Sequence, residues 1–298
     1  MEQESKTSNK KQRRYVTWLV LAIMVVTLCA SVWKCRQAAD AERHVRYVGI
    51  MNLASEKIAK TIQGMEMNAK NEFDEVEKRL DSPESVIAAL ESKTSLNPEV
   101  RGYFAAFEPD FFPEKGHWFE PYVVHVDTSA FEVRMVGSAS HDYHKSDWYI
   151  RAKQSSESFW SDPYYYYDGT DISGHYTTFV KPVYDSKGKL ACVCGADMTF
   201  EWLSKELERI DKEIMGDVLL NKYKNSNENF YTVVINDDGS CIAHPEGKKV
   251  SLTSEQVVSS LAQKKSGVVD MTINGIPSTV YYGPIKHVDW SVAIVVEK

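Results

Sequence analysis

The chain has 298 residues, 43% of them hydrophobic and 26% charged, with a formal net charge of −7 at neutral pH. That balance is ordinary for folded protein and excludes a disordered chain. Lys6, Lys10, Lys11, Arg13 and Arg14 against Glu2 and Glu4 give residues 1–14 a charge of +3, so the remainder carries −10. An acidic body lacks the clustered cations that neutralise phosphates, which excludes nucleic acid as a partner.

Residues 15–33 carry no charge and are mostly Leu, Val, Ile, Ala and Met. A run of this length is just sufficient to cross a bilayer as a helix. Trp18 and Trp33 stand near its ends, where amphipathic rings favour the membrane interface. The basic cluster at 10–14 is expected to remain cytoplasmic, leaving 35–298 periplasmic or extracellular. A cleaved signal peptide starts similarly, but no small-x-small site follows and the apolar run is long for one, so an uncleaved anchor in the inner (plasma) membrane is preferred. The expected division is a cytoplasmic tail at 1–14, a transmembrane helix at 15–34 and a long extracytoplasmic helix at 35–81.

Within that helix Met51, Ser55, Ile58, Ile62, Met65 and Ala69 follow four-three spacing, and Phe73, Val76 and Leu80 continue it. Such a stripe serves either as a homodimer seam or as packing against the domain that follows. Asp81-Ser82-Pro83 ends the helix, and Asp81 or Ser82 can cap a short helix over 84–93.

Beyond Asn97-Pro98 the texture turns to strands, at 100–108, 122–126 and 131–136. Two later runs echo each other: 177–184, a turn through Asp185 to Gly188, then 190–198; and 231–235, a turn through Asn236 to Gly239, then 241–244. The echo implies two related α+β modules with antiparallel strands, joined by a helix over 200–214. Gly267–Ile273, an Asn274-Gly275 turn, 278–282 and 290–296 complete the second.

The densest chemistry lies between Asp147 and Asp197, with Trp148, Tyr149, Trp160 and the run Tyr164 to Tyr167. Aromatic rings with hydroxyl handles suit a concave binding site. If the tyrosine run is extended, Tyr164 and Tyr166 share a face. Packing of these tyrosines on a strand surface is the alternative use. Asp197 is either a counter-charge in the site or a cap for the helix that starts near Phe200.

Trp148-Tyr149, Trp160 to Tyr164, Thr177-Thr178 leading to Pro182-Val183-Tyr184-Asp185 and Gly188, Gly195-Ala196-Asp197, and Gly239 to His244-Pro245 together resemble the double-Cache sensor domains of bacterial transmembrane receptors, over about residues 36–298. The resemblance implies an α+β fold of two PAS-like modules, a membrane-distal one at 82–205 that holds a small ligand and a membrane-proximal one at 206–298. It also implies a second membrane helix and an output domain, so the chain is expected to be the N-terminal part of a longer receptor. Trp148, Tyr149, Tyr164 and Asp197 match the amino-acid-binding branch of that family, whereas Ser146 stands for its Arg, His141 for a Tyr, and Tyr166 where an Asp would be. Ser cannot replace the paired hydrogen bonds of an Arg to a carboxylate. The expected ligand is therefore an amine, a neutral polar metabolite or a sugar rather than a free amino acid, while His141 can supply a donor that leaves a carboxylate open.

No enzyme is expected, since Gly-x-Ser-x-Gly, Walker-type and His-Glu-x-x-His patterns are all missing. No cofactor or metal is expected either. His141, Asp142, His144 and Asp147 have ligand types without ordered helical spacing, and Asp168 to Asp171 reads as a turn. Cys192 and Cys194 fall on one strand face, poor disulfide geometry. The second functional reading is a structural or protein-interaction ectodomain.

Overall fold

The computed structural model describes residues 2–94, 99–126, 130–216, 229–245 and 250–298, with side chains placed from Tyr15 onward. The Asn97-Pro98 boundary lies outside the described residues. Two compact units divide the chain, Met1–Gly49 and Ile50–Lys298. The first element is the helix α1 (Glu2–Glu77). In the first unit the apolar side chains from Tyr15 to Trp33 stand exposed, and this stretch is apolar enough, at a mean hydropathy of 2.3, to cross a membrane.

In the second unit Ala54, Ile58, Ile62, Met65, Ala69, Phe73 and Val76 of α1 are all buried. Of the two expected uses of the stripe, residues 50–77 serve packing against the domain. Phe73 lies 6.3 Å from Tyr103 and 6.4 Å from Phe179, both on the first sheet. The next helix, α2 (Pro83–Thr94), begins with the Ser85 amide donating to Ser82 Oγ at 3.2 Å, the cap that the sequence supplies.

The first sheet contains β1 (Gly102–Phe107), β2 (Pro121–His125), β3 (Phe131–Met135), β4 (Phe159–Trp160), β5 (Tyr164–Tyr166), β6 (Gly174–Tyr184) and β7 (Leu190–Thr199). Its order is β3-β2-β1-β7-β6-β4, with β5 also on β6, and every pair is antiparallel. Every residue of β1 is buried, so side chains of both parities are covered. Tyr103 meets Phe73 of α1, while Phe104 faces a helix that periodicity did not announce, α3 (Asp147–Ser155). This helix is nine residues long and buries only Trp148, Tyr149 and Ala152, too few positions to establish a repeat.

The second sheet is β10-β11-β12-β8-β9, from β8 (Phe230–Ile235), β9 (Cys241–Ala243), β10 (Gly267–Ile273), β11 (Ile276–Pro284) and β12 (Ser291–Glu297). Between the sheets α4 (Phe200–Gly216) buries Leu203, Leu207, Ile210 and Ile214, and a short α5 (Glu255–Ala262), not expected from sequence, covers the second sheet with Val257 and Leu261. The internal echo is structural. The β6–β7 turn has Asp185 N donating to Lys189 O and Gly188 N to Asp185 O; the β8–β9 turn repeats this with Asn236, Ser240 and Gly239. Gly188 and Gly239 sit at φ of 75° and 80°, where a side chain would strain the backbone.

Candidate functional site

On the α3 side of the first sheet a cleft opens between β1, β2, β5, β6, β7 and the loop that precedes β6. Phe104, Glu120, Tyr122, His141, Trp148, Tyr164, Tyr166, Ile172, Tyr176 and Asp197 line it. Its cavity volume is about 40 Å³. The walls therefore fit a small, flat or slender group.

Strand register explains the floor. Gly102 pairs with Val124 on one side and Asp197 on the other, so β2 and β7 flank β1 and bring residues far apart in sequence to one face. Phe104 lies opposite Gly195, whose missing side chain leaves room for the ring: a Cβ there would come within 2.1 Å of it. The Phe104 ring then rests 5.1 Å from Trp148.

Asp197 is buried at the bottom. Tyr164 Oη donates to Thr178 Oγ1 at 2.7 Å, and Thr178 Oγ1 donates to Asp197 Oδ1 at 2.6 Å, a chain in which each bond polarises the next. Burial pushes the Asp197 carboxyl up to about 6, with the Thr178 hydrogen bond opposing. The cap of α4 is instead Thr199, whose Oγ1 accepts from the Trp202 amide at 3.1 Å. Asp197 is thus left to the cleft.

A second carboxyl, Glu120, was not singled out from sequence. It is 4% exposed, and its Oε2 meets no hydrogen-bond donor among the described residues. Burial, and then the charge of Asp197, drive its pKa well above the usual carboxylate range. His141 Nε2 stands 3.6 Å from Glu120 Oε2, and burial lowers the His141 pKa, which keeps the ring neutral near neutral pH. The Tyr122 hydroxyl is buried beside Asp197 and, with Thr178 and Tyr164, opposes the rise of that carboxyl's pKa. Among the described residues no Lys or Arg lines the cleft itself, while Arg101, bonded to Asp171 at its rim, opposes the burial-driven rise of the Tyr176 and Tyr122 pKa values.

The structure brings Trp148, Tyr164, Tyr166, His141 and Asp197 together around this space. Tyr164 and Tyr166 share its face, while Tyr165 and Tyr167 are exposed, as alternation in β5 requires. Tyr149 turns away: its hydroxyl donates to Glu108 Oε1 at 2.8 Å, because neighbours on a helix diverge by about 100°. Ser146, at the start of α3, lies on an adjoining outer groove. Of the zinc-like cluster, Asp142 Oδ1 accepts from Trp118 Nε1 at 3.2 Å and lies 3.1 Å from His144 Nδ1, bonds that hold the turn before α3. The 168–173 loop folds over one end, with Asp168 accepting from Thr170 and Ser173 and Asp171 from Arg134 and Arg101.

Residues 86–205 match the family described as methyl-accepting chemotaxis protein-like, first PDC sensor domain. A search of curated proteins found no sequence match. Among solved structures the chain resembles methyl-accepting chemotaxis protein X, with a TM-score of 0.65 and 18% identity over 87% of this chain and 100% of that one. It also resembles the ligand-binding domain of the Pseudomonas fluorescens chemoreceptor CtaA in complex with L-isoleucine (TM-score 0.60, 18% identity, 88% of this chain and 95% of that). The periplasmic sensory domain of the Campylobacter jejuni chemoreceptor Tlp1 is similar as well (TM-score 0.60, 13% identity, 84% and 93%). Two PAS-like antiparallel sheets behind a long N-terminal helix, with the first sheet matched by the PDC family, make this a double-Cache sensor fold.

Proposed function

We propose that the chain is the extracytoplasmic sensor region of a membrane-anchored signal-transduction receptor, with its N-terminus cytoplasmic, and that its distal module binds a small amine. One observation carries the ligand class: two buried carboxyls, Asp197 and Glu120, face an aromatic cleft that contains no cation. An ammonium would gain charge-assisted hydrogen bonds from the acids and cation–π contact with Trp148, Tyr164 and Tyr166. A sugar or neutral metabolite could donate hydrogen bonds but would bring no positive charge to offset an ionised Asp197. The L-isoleucine bound by CtaA carries an ammonium too, but the cleft here offers no guanidinium for its carboxylate. Thermal-shift screening of the full chain in detergent should yield alkylamines and arylalkylamines as stabilisers; sugars alone stabilising, or nothing doing so, would favour the neutral-ligand or protein-interaction reading.

Entry of a cation should also expel a proton. Burial and the charge of Asp197 raise the Glu120 pKa, and an ammonium beside it would favour the ionised form. Calorimetric titration of an amine in two buffers of different ionisation enthalpy should give enthalpies that differ by a released proton, up to about one per site. Identical enthalpies would mean that Glu120 does not face the ligand charge.

A route from the cleft to α1 supports a signalling role. Ser161 Oγ accepts from the Thr178 amide at 3.0 Å, one residue from Trp160, whose Nε1 donates to Glu66 of α1 at 2.8 Å. The Trp160 ring also lies 6.0 Å from Trp290 beside the second sheet. Ligand that favours one arrangement of Asp197 and Thr178 would bias the other contacts through this corner. Trp160→Phe should keep amine affinity within about twofold yet abolish any ligand-induced change in hydrogen exchange of the segment around Glu66. An unaltered exchange response would remove this corner from the route.

A further inference from the structure

The amine cleft does not end at its mouth. His141, Trp148, Tyr164 and Tyr166 also line an outer groove of about 480 Å³, which continues past Ser146 to Arg151. Arg151 follows Trp148 by three positions on α3, so both side chains emerge on the same side of the helix, their Cβ atoms about 5–6 Å apart. Its guanidinium lies 4.0 Å over the Phe159 ring, which covers one face and leaves its N–H edge unstacked. Among the described residues Arg151 makes no ion pair, although Asp147 and Asp162 line the same groove. Both acids are exposed, and Asp147 sits in the first turn of α3, where the helix N-terminus already compensates it.

Resting on the amine reading above, we propose that the ligand is an amino compound with an anionic group several bonds from its ammonium, in its simplest form an ω-amino carboxylate. The ammonium lies between Asp197 and Glu120, the chain passes Trp148 and Tyr166, and the carboxylate reaches Arg151 in the groove. The inner cleft holds only a small group, so the rest of a longer ligand would lie in the outer groove that Arg151 lines. A guanidinium with its face stacked and its edge free is suited to a carboxylate, which accepts two parallel hydrogen bonds from it.

The test is calorimetric titration of the full chain in detergent with ω-amino acids of increasing chain length, the matched n-alkylamines, the matched α,ω-diamines and α-amino acids. One ω-amino acid should bind about tenfold tighter than its matched alkylamine. Arg151→Ala should remove that gain and leave alkylamine affinity unchanged; Arg151→Lys should retain part of it. An alkylamine that binds as tightly as every ω-amino acid, a diamine that binds tightest, or a gain that survives Arg151→Ala would each overturn the proposal while the amine reading stood. Failure of all four series on the folded chain would overturn the amine reading and this inference together.

Discussion

Asp197→Asn is expected to lose amine binding by about 100-fold or more and at the same time to stabilise the empty protein at mildly alkaline pH. Burial raises the folded pKa of Asp197 from 3.8 to about 6, so between those values folding takes up a proton. The stabilising contribution of the protonated carboxyl is fully present below about 4 and is lost as pH rises through about 6. Above that the wild type holds a buried charge at a cost on the order of 3 kcal/mol relative to the unfolded chain, and Asn does not. The variant should therefore melt several degrees higher at about pH 8, with the advantage shrinking to nothing near pH 4. Amine affinity of the wild type should fall as pH drops below about 6, because the proton competes with the cation for the same oxygens. A variant that binds amines normally, or whose melting difference does not change with pH, would show that Asp197 is not the charged floor of the site.

Gly195→Ala is expected to close the cleft from beneath. The new Cβ would lie 2.1 Å from Phe104 Cζ and 2.3 Å from Cε1, far inside any real contact, so the ring must move. Trp148, 5.1 Å away, blocks one direction, and the cleft is the space that remains. Overpacking of this kind costs about 1–3 kcal/mol, a drop of a few degrees in melting temperature, and the displaced ring should reduce amine affinity roughly 100-fold. Combining Gly195→Ala with Phe104→Leu should recover much of both by removing the colliding ring. Wild-type affinity in Gly195→Ala alone would mean that the ligand does not lie over Phe104.

Much of the architecture was legible because it is local. The uncharged run at 15–33, the four-three stripe of α1 and the two Gly-bearing strand–turn–strand echoes depend on spacings within a few residues, and the structure has them. Tyr164 and Tyr166 could be assigned to one face because a strand alternates whatever it pairs with. Trp148 and Tyr149 could not be separated. As neighbours they look like one feature, and only their place on a short helix sends one to the cleft and the other to Glu108.

The sequence by itself determined the membrane-length helix, the α+β modules and the aromatic half of the site, since hydrophobic periodicity and turn chemistry are properties of contiguous residues. Tertiary structure alone decided the electrostatics. Glu120 lies 77 positions before Asp197, and nothing local to Glu120-Pro121 distinguishes it from a solvated acid. Only the antiparallel register of β2, β1 and β7 brings the two carboxyls to one cleft, and only burial there raises both of their pKa values.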